Sequence, residues 1–237
     1  MFHIATFPVR LAWMTRAASA TLVLAAMGSG NLALANAQAT PAATAAPAAA
    51  AARTQDPETF IKVITADVLA TVKSDPGVQS GDLRKLTQLV DTKIMPYVNF
   101  QRMTASAVGR GWRQATPEQR QRLQQEFKSL LLHTYAGATS QIRDQAIEYR
   151  PVRARPEDTE VVVRTLVRGQ GEPIQIDYRL ERTGDGWKIY DVNVLGAWLV
   201  QTYQSSFAQE VNASGIDGLI AKLVERNKQL ASRKTAG

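Results

Sequence analysis

Between residues 174 and 181 apolar and polar side chains alternate without a break, Ile174, Ile176, Tyr178 and Leu180 against Gln175, Asp177, Arg179 and Glu181. A strict period of two commits the segment to a strand with one buried and one wet face, and a one-residue slip in register would turn every apolar side chain to water. Such a strand needs neighbours, and the flanking chain supplies them. Residues 159–168 (TEVVVRTLVR) are β-branched, with Val161, Val163, Thr165 and Val167 on one face; 147–152 and 187–194 (WKIYDVNV) read as further strands. Glycine-containing turns at 169–172 and 183–186 join them. The expectation is a four-stranded antiparallel meander.

On both sides of the meander the period changes to that of a helix. Asp56-Pro57-Glu58 is a helix start, followed by a stripe of Phe60, Val63, Ile64, Val68 and Val72, and Asp75-Pro76-Gly77 ends it. Leu83, Leu86, Leu89, Val90 and Ile94 form a second stripe that stops at Pro96, and a short third segment covers 99–108. Thr116-Pro117-Glu118-Gln119 is a capping box. It opens a long helix to about residue 145, with Leu123, Phe127, Leu130, Leu131, Tyr135, Ala138 and Ile142 on one face. Two helices, 196–212 and 216–232, close the chain around a break at Ser214-Gly215. Helices, meander, helices define an α+β domain with helices on one side of a curved sheet. Periodicity alone does not tell a filled interior from a hollow one.

The domain is expected over 56–234. Residues 1–37 read as a cleavable secretory signal: Arg10 and Arg16 precede a run of small apolar residues, and Ala33-Leu34-Ala35 and Ala35-Asn36-Ala37 are cleavage-type triplets. The strongly apolar part, about ten residues, falls short of the ~20 a membrane span needs. An Ala/Pro-rich flexible leader (38–55) follows. The 28 basic residues, less Arg10 and Arg16, leave 26 against 21 acidic ones, a net charge of +5. These basic residues are dispersed, which speaks against nucleic acid as a partner and suits anionic head groups or acidic proteins.

Most site chemistry is excluded early. The chain has no cysteine, so thiol nucleophiles, disulfides and Cys-type metal centres are out. Two histidines, His3 and His133, cannot build a multi-histidine metal site. No Gly-rich phosphate loop or G-x-S-x-G elbow is present. Asp191 interrupts a strand-like run, on the same face as Trp187, Ile189 and Asn193 by alternation. Its favoured role is structural, capping a loop or the following helix; the alternative is a general base without an evident partner acid.

Several blocks carry a family resemblance: 90–111 (VDTKIMPYVNFQRMTASAVGRG) with 112–120 (WRQATPEQR), then 127–136 (FKSLLLHTYA), 189–200 (IYDVNVLGAWLV) and 215–223 (GIDGLIAKL). In this order they resemble the MlaC family of periplasmic phospholipid-binding proteins, also called toluene-tolerance or Ttg2-type auxiliary proteins. The resemblance implies an NTF2-like, cone-shaped fold with an apolar pocket between sheet and helices. It implies no catalytic activity, no cofactor and no metal, with phospholipid as cargo held by its acyl tails. It also implies periplasmic shuttling that maintains outer-membrane lipid asymmetry. The partners would be an outer-membrane lipoprotein–porin complex (MlaA-like) and an inner-membrane ABC transporter with an MCE-domain subunit (MlaD-like).

Two lipid-binding residues follow from the resemblance: Tyr135, in L-L-x-x-Y-A, matches a pocket-lining tyrosine, and Ala197 stands where relatives often have Val in a G-V-S motif. Val163, Ile174, Ile176 and Tyr178 are added from the strand pattern, and Leu131 from the long helix's apolar face. The competing readings are an NTF2-like enzyme on a small apolar substrate, with Asp191 as base, and a lipoprotein carrier or chaperone.

Overall fold

The computed structural model describes residues 56–137, 145–155, 157–169 and 172–235. The expected signal and leader (1–55), the helix positions Ala138 and Ile142, and the centre of the 169–172 turn lie outside the described residues.

Aspartates start the first three helices of the described residues. The side chains of Asp56, Asp75 and Asp82 each accept two backbone N–H groups, opening α1 (Pro57–Ser74), α2 (Pro76–Gln79) and α3 (Leu83–Leu89). A π-turn over Val90–Ile94 and a 3-10 turn over Met95–Tyr97, which contains Pro96, lead out of α3. Asn99 then caps α4 (Phe100–Val108), and α5 (Gly111–Gln114) follows. The capping box forms at Thr116, with both reciprocal bonds present, and starts α6 (Pro117–Tyr135). α6 ends at Tyr135 and passes into a 3-10 turn at 136–137, and the rest of the helix expected to about 145 falls on residues 138–144, outside the described residues.

The sheet is antiparallel throughout and runs in chain order: β1 (Ala146–Tyr149), β2 (Glu160–Arg168), β3 (Ile174–Thr183), β4 (Gly186–Val194) and β5 (Ala197–Trp198). Among the described residues it has five strands where four were expected, because Leu195 and Gly196 make a tight turn and Ala197 pairs back on Val194. The last helix, α7 (Leu199–Thr235), therefore starts at 199 rather than 196. It breaks at Gly215, whose φ of 70° only glycine adopts freely, at the place read from Ser214-Gly215.

Register sorts the side chains into two faces. Val163 pairs with Tyr178, Thr165 with Ile176, and Val167 with Ile174. These join Tyr149 and Ile147 of β1 and Leu180 of β3 on one apolar face. The β3–β4 pairing slips between Arg179 and Leu180: Leu180 opposes Ile189, and Arg179 opposes Asp191, so Tyr190 is the extra residue of a bulge. This corrects the expected placement of Asp191. Ile189 and Trp187 stay on the apolar face, while Asp191 and Asn193 turn to the polar one.

Three clusters fill the interior. Phe60, Ile61 and Ile64 of α1 lie over Val163, Leu180, Trp187 and Ile189 of the sheet, together with Tyr97. Helices α4, α6 and α7 meet around Phe100, Met103, Phe127, Phe207 and Leu219, with the Phe127 ring edge-on to Phe207 and Tyr203. Val72, Val78, Leu86, Leu89 and Ala136 close the third cluster. Val192 packs against both the first and the second, so β4 is the seam between sheet and helical core.

Candidate functional site

The apolar face of the sheet is not evenly covered. Ile147, Val167, Ile174, Ile176 and Val194 share it with the buried residues under α1, yet they enter none of the three clusters among the described residues. All five keep some solvent exposure, and Ile174 keeps 40%. Leaving apolar area in water costs about 25 cal/mol per Å². This stretch, the least packed part of the apolar face among the described residues, is the best-defined binding feature of the domain.

A band of hydroxyls separates the covered end from the open one. Tyr149 and Thr65 of α1 share a hydrogen bond of 2.6 Å, and the Thr165 hydroxyl donates to the Ile176 carbonyl at 2.6 Å. Burial pushes the pKa of the Tyr178 hydroxyl well above the ordinary tyrosine range, and the neighbouring Thr165 hydroxyl opposes that shift. On the helical side Tyr203 of α7 is pushed up to about 12, mainly by burial and further by neighbouring Tyr135. Tyr178 and Tyr203 are therefore neutral at physiological pH and bring no charge to the interior.

The sequence-derived site residues divide. Ile174 and Ile176 lie on the open stretch. Val163 and Tyr178 sit deeper: Val163 is fully buried beneath α1, and Tyr178 packs at that cluster's edge. Leu131 packs against the helical core, and Tyr135, the last residue of α6, keeps 37% exposure. Ala197 is exposed on β5, opposite Val194. Ile147 and Val194 also belong to the open stretch. Val194 could not be placed from alternation, because the bulge at Tyr190 shifts every later residue of β4 by one.

Asp191 is fully buried, and both its oxygens are occupied. Oδ1 accepts the N–H groups of Val192 (2.9 Å) and Val200 (3.1 Å), and Oδ2 accepts Arg179 Nη1 at 2.9 Å. Burial pushes its carboxyl upward, and the Val200 N–H and the Arg179 charge oppose that shift. The Arg179 guanidinium lies 3.8 Å from the centre of the Trp198 ring. Asp191 therefore ties β3, β4 and the first turn of α7 together, and a substrate cannot reach it. Similarly, Arg102 of α4 pairs with Glu160 and Glu181 and stacks on Tyr190, fixing α4 to the polar face.

The turn between β4 and β5 is unusual. Leu195 has φ 55° and Gly196 φ 88°, the positive pair that Asn-Gly fills best in a two-residue hairpin. Holding Leu in this region costs roughly 1–2 kcal/mol. Its side chain nevertheless keeps 58% exposure.

Two concavities lie elsewhere. One of about 240 Å³ opens among Arg150, Arg164, Gln175 and Asp177, and one of about 370 Å³ among Asp56, Val152, Arg182 and Trp187. Among the described residues no group of three or more His, Asp or Glu could hold a metal, and no helix is long and apolar enough to cross a membrane.

Fold and site define a class: an α+β domain whose antiparallel sheet is packed under helices at one end of its apolar face and carries, among the described residues, a less covered apolar stretch at the other. The chain belongs to the MlaC family, whose profile, described as "MlaC protein", matches residues 62–225. It is 25% identical over 164 residues to the toluene tolerance protein Ttg2D of Pseudomonas putida, covering 69% of this chain and 76% of that one. It is 23% identical over 162 residues to the intermembrane phospholipid transport system binding protein MlaC of Haemophilus influenzae, covering 67% and 72%. A solved structure of a phospholipid-binding protein from Ralstonia solanacearum, in complex with a phospholipid, is 49% identical, with a TM-score of 0.72 over 75% of this chain and 99% of that one.

Proposed function

We propose that this protein is a periplasmic phospholipid carrier, exported by a cleavable signal peptide, that holds acyl tails without covalent chemistry. The observation that carries the reading is the open apolar stretch of Ile147, Val167, Ile174, Ile176 and Val194, in a chain 49% identical to a protein solved with a phospholipid. In this reading Leu131, Tyr135, Val163, Ile174, Ile176, Tyr178 and Ala197 line or border the tail site. The carrier takes lipid between an outer-membrane lipoprotein–porin complex of the MlaA type and an inner-membrane ABC transporter with an MlaD-type subunit, and so maintains outer-membrane lipid asymmetry.

The energetics favour a carrier over free diffusion. Two acyl chains hold on the order of 30 methylenes, and at about 0.8 kcal/mol each their exposure to water costs roughly 25 kcal/mol. Moving them from a bilayer to an apolar protein interior exchanges one oily setting for another, so the net change is small and loading is reversible. A site of about 1,000 Å³ is needed. The concavities of about 240 and 370 Å³ are smaller than that, and in this reading the lipid enters by parting the open end of the sheet from the helices.

Organic extraction of the purified protein followed by mass spectrometry tests the reading. Copurified diacyl phospholipid is the expected result. A covalently acylated polypeptide in its place would support a lipoprotein carrier. Absence of both, with turnover lost in Asp191→Asn, would support the enzyme, against which the burial of Asp191 already argues.

A further inference from the structure

The polar face of the sheet carries a row of side chains that the carrier reading does not use. Arg150, Arg164, Asp177 and Asn193 lie side by side: the Arg150 N–H donates to the Arg164 carbonyl at 3.0 Å, Arg164 opposes Asp177, and Asp177 opposes Asn193. Alternation puts this row on the opposite side of the sheet from Ile174 and Ile176. Arg150, Arg164, Leu166, Gln175 and Asp177 line the concavity of about 240 Å³. Two of its features are unfavourable as they stand. Asp177 keeps only 4% exposure; its Oδ2 accepts Gln175 Nε2 at 2.6 Å, and its Oδ1 has no hydrogen-bond partner among the described residues. A buried carboxylate oxygen without a donor is destabilising. Arg150 and Arg164, both exposed, are like charges on facing positions of two strands, and neither forms an ion pair among the described residues. Other acids of these strands are engaged: Glu148 with Arg168 at 2.7 Å, and Glu160 and Glu181 with Arg102. Exposed Glu172 is not part of the lining, and Asn193 Oδ1 is taken by the Gly196 N–H at 2.8 Å.

We propose that this concavity binds a small phosphate ester carrying a primary ammonium group. The ammonium group donates to Asp177 Oδ1, and the phosphate oxygens accept from the guanidinium groups of Arg150 and Arg164. One ligand thus supplies both missing partners. Either half alone fits less well: inorganic phosphate meets the Asp177 charge, and a simple amine leaves the two arginines facing each other. A carboxylate matches one guanidinium fork, whereas a tetrahedral phosphate has oxygens for two. A quaternary ammonium group has no N–H and cannot serve Asp177. The volume lies below the ~300–1,000 Å³ of drug-sized ligand sites, so the ligand is small. The same chemistry occurs in a free aminoalkyl phosphate and in the head group of an aminophospholipid. Because the row and the acyl-tail stretch occupy opposite faces, this is a separate site and does not rest on the carrier reading.

The test titrates the purified protein calorimetrically with phosphoethanolamine, and with phosphocholine, ethanolamine and inorganic phosphate as controls. Phosphoethanolamine is expected to bind at least about tenfold more tightly than each control. Asp177→Asn keeps the shape and removes the charge, and should weaken phosphoethanolamine about tenfold without lowering the unfolding midpoint. Arg164→Gln, at an exposed position that the fold does not depend on, should weaken it about fivefold and leave ethanolamine unchanged. Absence of saturable binding to wild type overturns the proposal. So does phosphocholine bound as tightly as phosphoethanolamine, or phosphoethanolamine binding unchanged in either folded variant. Co-flotation with phosphatidylcholine vesicles, with and without phosphatidylethanolamine, identifies the source. Retention only where phosphatidylethanolamine is present, lost in Asp177→Asn, supports the site with a lipid head group as its ligand. Soluble ligand bound without such retention supports it with a free ester. Copurified phospholipid should be equal in Asp177→Asn and wild type; its loss from the variant would join this concavity to the tail stretch and overturn the separate site. Wild-type protein that binds phosphoethanolamine but copurifies with no phospholipid supports this site and counts against the carrier reading alone.

Discussion

At one end of the sheet's apolar face Val163, Leu180, Trp187 and Ile189 are packed under Phe60, Ile61 and Ile64 of α1. At the other, Ile147, Val167, Ile174, Ile176 and Val194 offer similar aliphatic side chains and join no core cluster among the described residues. Strand alternation is equally strict at both ends, and both use β-branched residues. The difference comes from where α1 crosses: its Thr65 bonds Tyr149 at the hydroxyl band, and beyond that band it contributes no cluster contact to the sheet. Alternation records sidedness. Coverage depends on a helix about a hundred residues away in the chain.

The sharpest way to break this contrast is to put the same insult at both ends. Ile176→Asp on the open stretch should leave the protein folded and abolish retained phospholipid, because a carboxylate among acyl tails has no partner. Lipid per folded molecule, from extraction of monomeric protein, reads the effect. Lipid equal to wild type would remove Ile176 from the site. The same charge at fully buried Val163 should prevent folding altogether, visible as loss of soluble protein.

Truncation gives a graded version. Leu180→Ala should cost about 3 kcal/mol in urea unfolding, since the side chain is fully buried and the cavity cannot collapse under α1. Ile174→Ala, at 40% exposure, should cost under about 1 kcal/mol. Equal losses would mean that the open end is as tightly packed as the closed one.

How much of this could be read from residues is itself uneven. The α+β order, the capping box at Thr116 and the break at Gly215 are local events, written in a few adjacent residues. Ile174 and Ile176 were legible as site candidates for the same reason. Val194 was hidden by the bulge at Tyr190, whose only trace is Asp191 interrupting the alternation. Val163 and Ile176 belong to one alternating pattern, and only the path of α1 separates a core residue from a candidate lipid contact. The fifth strand was missed because Leu195-Gly196 does not look like a hairpin turn: the residue that should be Asn is Leu.

Removing the lipid should be felt at the open end first. If copurified phospholipid is stripped by detergent exchange, mass action takes away the stabilisation that bound ligand confers, about 2.7 kcal/mol for ligand at a hundred times its dissociation constant. Dispersion contacts of the vacated lining are lost with it. The stripped protein should melt lower, and amide exchange should rise in β3 near Ile174 and Ile176 while β2 and β3 beneath α1 stay protected. Uniform loss of protection along the sheet would erase the distinction between the two ends.

The smallest effect is the one at the buried tyrosines, Tyr178 of the hydroxyl band and Tyr203 of the helical side, because burial raises both. Burial raises Tyr178, and it raises Tyr203 to about 12, above the ordinary value of roughly 10. For an acid whose folded value is raised, the folded state binds the proton more tightly. The associated stability is therefore fully present below pH ~10 and is lost as pH rises from there through about 12. The unfolding free energy should be flat with respect to these groups from pH 6 to 9 and fall above ~10. Phenolate absorbance should show tyrosines ionising late and together with unfolding. Tyr178→Phe removes the deepest of these hydroxyls and leaves Thr165 still bonded to the Ile176 carbonyl, so it should flatten part of the alkaline fall at little cost at neutral pH. If Tyr178 instead ionises at an ordinary value in the native protein, water reaches the band, and the boundary between the packed end and the open end lies deeper under α1 than Thr65.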